Sequence, residues 1–149
     1  MVVVDTNVLV YAADEDSPFH AACRSWLERQ RSGAGAWYAT WPIFYEFLRV
    51  TTHPRVMRRP WNLPEAWQFV TALIASPGLD ILVPTQRHAE IAGLVVEELP
   101  HLAGNLLHDA HTAVLMREHG IGRICTRDAD FHRFTFLEVV DPLQRATGR

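Results

Sequence analysis

The chain has 149 residues, 48% of them hydrophobic and 21% charged, with a net charge of −3; this is the size of one domain, so residues 1–149 are read as a single unit around one core. No apolar run approaches the ~20 residues that a membrane span needs, and the apolar start at Val2, Val3 and Val4 is stopped by Asp5 without a basic leader, so a cytoplasmic protein with no membrane association is expected. All fourteen basic side chains are arginine, which excludes the lysine-dependent P-loop and Schiff-base chemistries, and the mildly acidic balance confines any nucleic-acid contact to a local patch.

In chain order, residues 2–4 are a β-branched run without polar alternation, as expected for a strand buried on both faces of a parallel sheet. Asp5 ends it. Ser17 and Pro18 then offer a cap and a first-turn proline for a helix in which Ala21, Ala22, Trp26 and Leu27 recur at helical spacing until Gly33. Residues 36–40 read as a second strand, and Pro42 opens a helix whose Ile43, Phe47 and Val50 follow the 3.6-residue period. Pro54, Pro60 and Pro64 interrupt the chain before another amphipathic helix over residues 65–75, closed by Pro77 and Gly78. A third strand is placed at residues 81–83, helices at 86–99 and 105–119, a fourth strand at 123–126 and a fifth at 137–140. Strands separated by helices argue for right-handed crossovers, hence a three-layer α/β/α sandwich with a mostly parallel central sheet of four to five strands. Cys23 and Cys125 lack metal-ligand spacing and read as free thiols.

Ligands of open parallel sheets bind beyond the carboxyl ends of the strands. Asp5 follows the first strand there, and Asp128 and Asp130 follow the fourth, in Thr126-Arg127-Asp128-Ala129-Asp130-Phe131. Glu46 lies one turn into its helix, and Asp109 near the start of a helix that Asn105 is positioned to cap. If these carboxylates meet, their mutual repulsion calls for a divalent cation, and Mg2+ or Mn2+ is the natural choice for an all-oxygen site. Such an ion activates water and polarises a phosphodiester without any protein nucleophile. The chain has no Gly-x-Ser-x-Gly elbow, Cys-x-x-Cys pair or Gly-rich phosphate loop that would favour another route.

Taken together, Val-Val-Val-Asp5-Thr6-Asn7, Glu46 in Pro-Ile-Phe-Tyr-Glu-Phe, Asp109 in Leu-His-Asp-Ala-His-Thr-Ala, and Thr126 to Phe131 resemble the successive acidic motifs of PIN domains from end to end. Within that family the chain resembles the VapC-type toxins of prokaryotic toxin–antitoxin pairs. The resemblance implies a metal-dependent endoribonuclease acting on single-stranded RNA. Asp5, Glu46, Asp109 and Asp128 match the catalytic carboxylates, with Asp5, Asp109 and Asp128 as metal ligands. Thr6 and Asn7 are expected to brace Asp5, with Thr126 supporting the fourth motif and Asp130 an outer ligand or a residue behind the ligands. A small antitoxin partner and a homodimer are implied by the resemblance alone.

Competing readings attach to several of these residues. Arg49, Arg55, Arg58 and Arg59 lie close in sequence to Glu46 and are assigned to RNA phosphates, against a solvated basic turn. Glu46 has the alternative of a surface pair with Arg49. Trp37, Trp41, Trp61 and Trp67 are taken as packing anchors. His108-Asp109 matches the metal-binding dyad of HD phosphohydrolases, but that family is all-helical. A haloacid-dehalogenase-type phosphatase also places an aspartate after its first strand, yet here Asn7 replaces its second aspartate. A catalytically silent PIN-like module that binds RNA or protein is the non-enzyme alternative.

Overall fold

In a computed structural model that describes residues 1–144, the chain runs through β1 (Val2–Val4), α1 (Thr6–Ala13), α2 (His20–Ser32), β2 (Trp37–Ala39), α3 (Trp41–Thr51), α4 (Leu63–Ile74), β3 (Leu79–Ile81), α5 (His88–Glu98), α6 (Leu106–Glu118), β4 (Arg123–Cys125) and β5 (Glu138–Val140). A short 3₁₀ helix at Ala129–Arg133 links the last two strands. All strands are parallel, in the order β3-β2-β1-β4-β5. Right-handed crossovers place α1 to α4 on one face and α5 and α6 on the other. The helix contacts follow that division: α1 packs on α2 and α3, α3 on α4, and α5 on α6. The α/β/α expectation is met.

The central strand is the valine run, and Val3 and Val4 are fully buried because helices cover both faces. Strand order reverses at β1, with Val4 beside Cys125 of β4, so the residues after these two strands emerge next to each other. The Asp5 N–H continues the ladder by donating to the Cys125 carbonyl at 3.0 Å.

Three details depart from the sequence reading. The chain enters α1 directly after Asp5, over residues to which the sequence assigned no element. Nearly all of α1 is buried, so it carries no polar face to reveal a helical period, and its valines read as strand formers. The strand placed at residues 81–83 begins earlier, at Leu79, because Gly78 turns the chain with φ +80° and accepts the Trp37 N–H at 3.0 Å. Phe19 rather than Ser17 stands at the cap of α2; the Ser17 hydroxyl accepts the Phe19 N–H at 3.1 Å.

The α3 helix is fixed by its Thr40 cap, whose hydroxyl accepts the Ile43 N–H at 3.2 Å, and by an inward stripe of Ile43, Phe44, Phe47 and Thr51. Phe47 stacks on Phe69 at 4.9 Å and meets Trp61 edge-on at 6.2 Å. Phe47→Ala removes this fully buried ring and leaves a cavity, which lowers unfolding free energy by ~3–5 kcal/mol. Urea denaturation followed by far-UV circular dichroism measures the change, and a loss below ~1 kcal/mol would contradict the packing described.

Candidate active site

Asp5 is the N-cap of α1, and each oxygen of its buried carboxylate is held by donors. Oδ1 accepts the Thr6 N–H at 2.8 Å; Oδ2 accepts the Thr126 hydroxyl at 2.6 Å and the Asn7 Nδ2 at 3.1 Å. The Thr126 oxygen also receives the Asn7 Nδ2 at 3.0 Å and the Asp128 N–H at 3.0 Å. With two donors pointing at it, that hydroxyl has only its own hydrogen to give, and it gives it to Asp5. Asn7 is oriented in turn by the Arg127 N–H, which reaches its Oδ1 at 3.2 Å. Thr6 braces Asp5 through its backbone, whereas its buried hydroxyl has no partner among the described residues and borders the cavity described next.

Asp128 caps the 3₁₀ helix by accepting the Asp130 N–H at 2.9 Å, and Phe131, fully buried, roots this loop in the core. Asp109 lies in the first turn of α6, whose leading N–H groups are taken by the carbonyls of Ala103, Gly104 and Asn105. Asn105 occupies the cap position of α6 but makes no side-chain capping bond. The carboxylates of Asp109, Asp128 and Asp130 offer ligand oxygens that all lie within 4.8 Å of one another. Asp5 and Glu46 border the same cavity of about 960 Å³, together with Tyr45, Arg49 and His108. Distant parts of the sequence thus meet at the strand reversal.

The electrostatics follow from burial and like charge. Burial raises the Asp5 pKa to about 6 despite the Thr126 and Thr6 hydrogen bonds, with Asp128 and Glu46 adding repulsion. Asp109 rises to about 7, first by burial and then by the charges of Asp128, Asp5, Asp130 and Glu46. An all-oxygen donor set under mutual repulsion, beside an unsatisfied buried hydroxyl, fits a hard divalent cation. Asp130 joins Asp109 and Asp128 in the tight trio, and Asp5 borders the same cavity. Asp130 also pairs with Arg133 at 3.6 Å.

The arginines separate. Arg49 lines the cavity and pairs with Glu46 at 3.6 Å, both side chains substantially exposed, so the pair contributes only ~0.3–0.5 kcal/mol. Arg55 and Arg58 are exposed on the following segment and do not border the cavity. Arg59 is committed elsewhere, its fork donating to both Asp16 oxygens at 3.0 and 3.1 Å. Sequence reading passed over Tyr45, which no motif singles out beyond its place next to Glu46. His108 faces the cavity, but the parallel sheet removes the all-helical alternative built on it.

Known proteins are similar to this chain in sequence and in fold. A family profile described as PIN domain matches residues 2–137, and the chain belongs to the PIN-domain family. Its relatives within that family are of the VapC type. It is 33% identical to Ribonuclease VapC48 of Mycobacterium tuberculosis over 138 residues, covering 93% of this chain and 94% of that one. It is 31% identical to Ribonuclease VapC33 of the same organism over 144 residues, covering 97% and 99%. Among solved structures, VapBC2 from Rickettsia felis, crystallised with a DNA fragment from its promoter, superposes with a TM-score of 0.65 at 14% identity, covering 94% of this chain and 98% of that one. At that identity the likeness speaks for the fold.

Asp109 provides a check on the crowding. Its pKa of about 7 in the folded chain exceeds the ordinary 3.8. Between those values the folded state holds a proton that the unfolded state has released, so stability falls as pH rises through the window and the loss is complete above it. Asp109→Asn therefore stabilises the metal-free protein by ~1 kcal/mol at pH ~8, a figure reduced for solvent screening, and by a difference that shrinks toward zero as pH falls to ~4. Thermal melts in EDTA across this range measure it. Added Mg2+ raises the wild-type midpoint and leaves the variant nearly unmoved.

Proposed function

We propose that this protein is a Mg2+- or Mn2+-dependent endoribonuclease, the toxin of a VapBC-type pair. The observation that carries the reading is the trio of Asp109, Asp128 and Asp130 oxygens within 4.8 Å of one another, next to the donor-bracketed Asp5. Family membership and the ribonuclease names of its relatives support the substrate class. A divalent ion bound there supplies Lewis-acid polarisation of a phosphodiester and makes water a competent nucleophile.

The chain's own side chains prepare that chemistry. Asp109, Asp128 and Asp130 are the residues that would hold the ion, with Asp5 fixed alongside by Thr6, Asn7 and Thr126 so that its lone pairs keep one direction. Glu46 faces the cavity from α3 and offers a carboxylate to accept a proton. Arg49 supplies a cation at the rim for a substrate phosphate, its bond to Glu46 being weak enough to exchange. Arg55 and Arg58 extend positive charge along the segment beyond.

A small antitoxin is the proposed partner, in keeping with the paired assembly named in the Rickettsia felis structure, and a homodimer is the proposed assembly of the toxin. No helix among the described residues is long and apolar enough to cross a membrane; a cytoplasmic site of action is part of the proposal.

Cleavage of labelled single-stranded RNA with Mg2+, followed on denaturing gels, tests the reaction. EDTA abolishes it, and Asp5→Asn or Asp109→Asn lowers the rate more than ~100-fold with unchanged circular dichroism. Asn7→Ala, which removes a brace and no carboxylate, costs ~10–100-fold. Equal activity of wild type and Asp5→Asn, with and without Mg2+, would exclude the mechanism.

A further inference from the structure

The outer side of α3 is unlike that of an ordinary surface helix. Ile43, Phe44, Phe47 and Thr51 face inward, yet the opposite stripe at i, i+3, i+4 and i+7 places Tyr45 and Leu48 outward beside Arg49 and Thr52. It forms one wall of a groove of about 680 Å³, whose other wall comes from the start of α4, chiefly Leu63 and Trp67. Tyr45 is 67% exposed, Leu63 59% and Trp67 44%. Packing therefore explains Trp37, which is fully buried, and Trp61, which meets Phe47 and Phe69, but it does not explain Trp67.

Tyr45 and Arg49 border both this groove and the carboxylate cavity, so the two are continuous. A ligand spanning them must offer an apolar, flat face on one side and an anion within one repeat unit of it. An unpaired nucleotide offers both: the base for an aromatic ring and the phosphate for Arg49. We infer that the groove between α3 and α4 is a nucleobase platform, on which Tyr45 and Trp67 stack unpaired bases of the RNA strand whose neighbouring phosphodiester lies among the carboxylates. The inference rests on the ribonuclease reading and adds to it the residues that select single-stranded RNA. Stacking on Tyr45 and Trp67 requires bases free of a duplex, which gives the preference for unpaired RNA a physical source.

Binding of fluorescein-labelled oligoadenylate, and of an abasic ribose-phosphate oligomer of equal length, is measured by anisotropy with Ca2+ present and oligomer integrity checked on a gel. Wild type binds the abasic oligomer at least about 5-fold more weakly, the lower end for loss of one base–aromatic stack. Tyr45→Ala weakens oligoadenylate binding by about 5-fold or more and narrows the gap between the two oligomers to what Trp67 still provides, whereas Tyr45→Phe, which keeps the ring, restores it. Trp67→Ala acts in the same direction. If Tyr45→Ala and Trp67→Ala still bind oligoadenylate as wild type does while wild type cleaves RNA, the platform is overturned and the ribonuclease reading stands. If Tyr45→Ala converts a dimer to a monomer in sedimentation without changing RNA affinity, the groove belongs to a second copy of the chain and the platform is likewise overturned. A wild type that neither binds nor cleaves RNA removes both.

Discussion

Repulsion among carboxylates gathered at one end of the sheet is the constraint around which this molecule is organised. Asp5 and Asp128 arrive there because β1 and β4 are neighbours at the reversal of strand order; Asp109 arrives on the first turn of α6. Asp5 and Asp128 are held in place by interactions that do not depend on an ion, three donors on the first and a capping bond to the second, while Asp109 is carried there by α6. The fold therefore brings like charges together and resists their separation, which is why burial and mutual charge keep the protons of Asp5 and Asp109 bound to unusually high pH. A divalent cation held among them would relieve the conflict and so tie metal binding to stability.

The polar bracket around Asp5 also links otherwise separate elements. Thr126 lies at the end of β4 and Asn7 in α1, so their contacts with Asp5 join sheet and helix through one carboxylate. The Asn7 amide uses both ends, donating to Asp5 and Thr126 and accepting from Arg127. Arg127 then lays its guanidinium 4.2 Å over the Phe19 ring, tying the acidic loop to the start of α2. Hydrogen bonds of this kind favour the ionised form of Asp5 against the larger effect of burial, and the balance leaves its pKa at about 6.

Much of this was legible in the residues. A valine run closing on Asp5, strands alternating with helices, and four acidic motifs in register sufficed for the α/β/α architecture and for the gathering of Asp5, Glu46, Asp109, Asp128 and Asp130 around one cavity. What escaped was decided by tertiary contacts. The buried α1 has no polar face from which to read a period, and the offset of β3 depends on how Gly78 turns the chain. Asp130 is drawn toward Asp128 by the bond from its N–H, and Arg59 is bound by Asp16, distant in sequence, which takes both arms of its fork. Composition cannot distinguish buried Trp37 from exposed Trp67, because both are large aromatics in apolar surroundings until the neighbours of each are known.

The burial of Phe131 bears on how firmly the acidic loop is anchored. With that ring seated in the core, the segment carrying Asp128 and Asp130 is a fixed jaw rather than a flap, and swinging it aside would expose a full aromatic side chain to water. The spacing of Asp128 and Asp130 is therefore set by the hydrophobic core and not by whatever fills the cavity beside them.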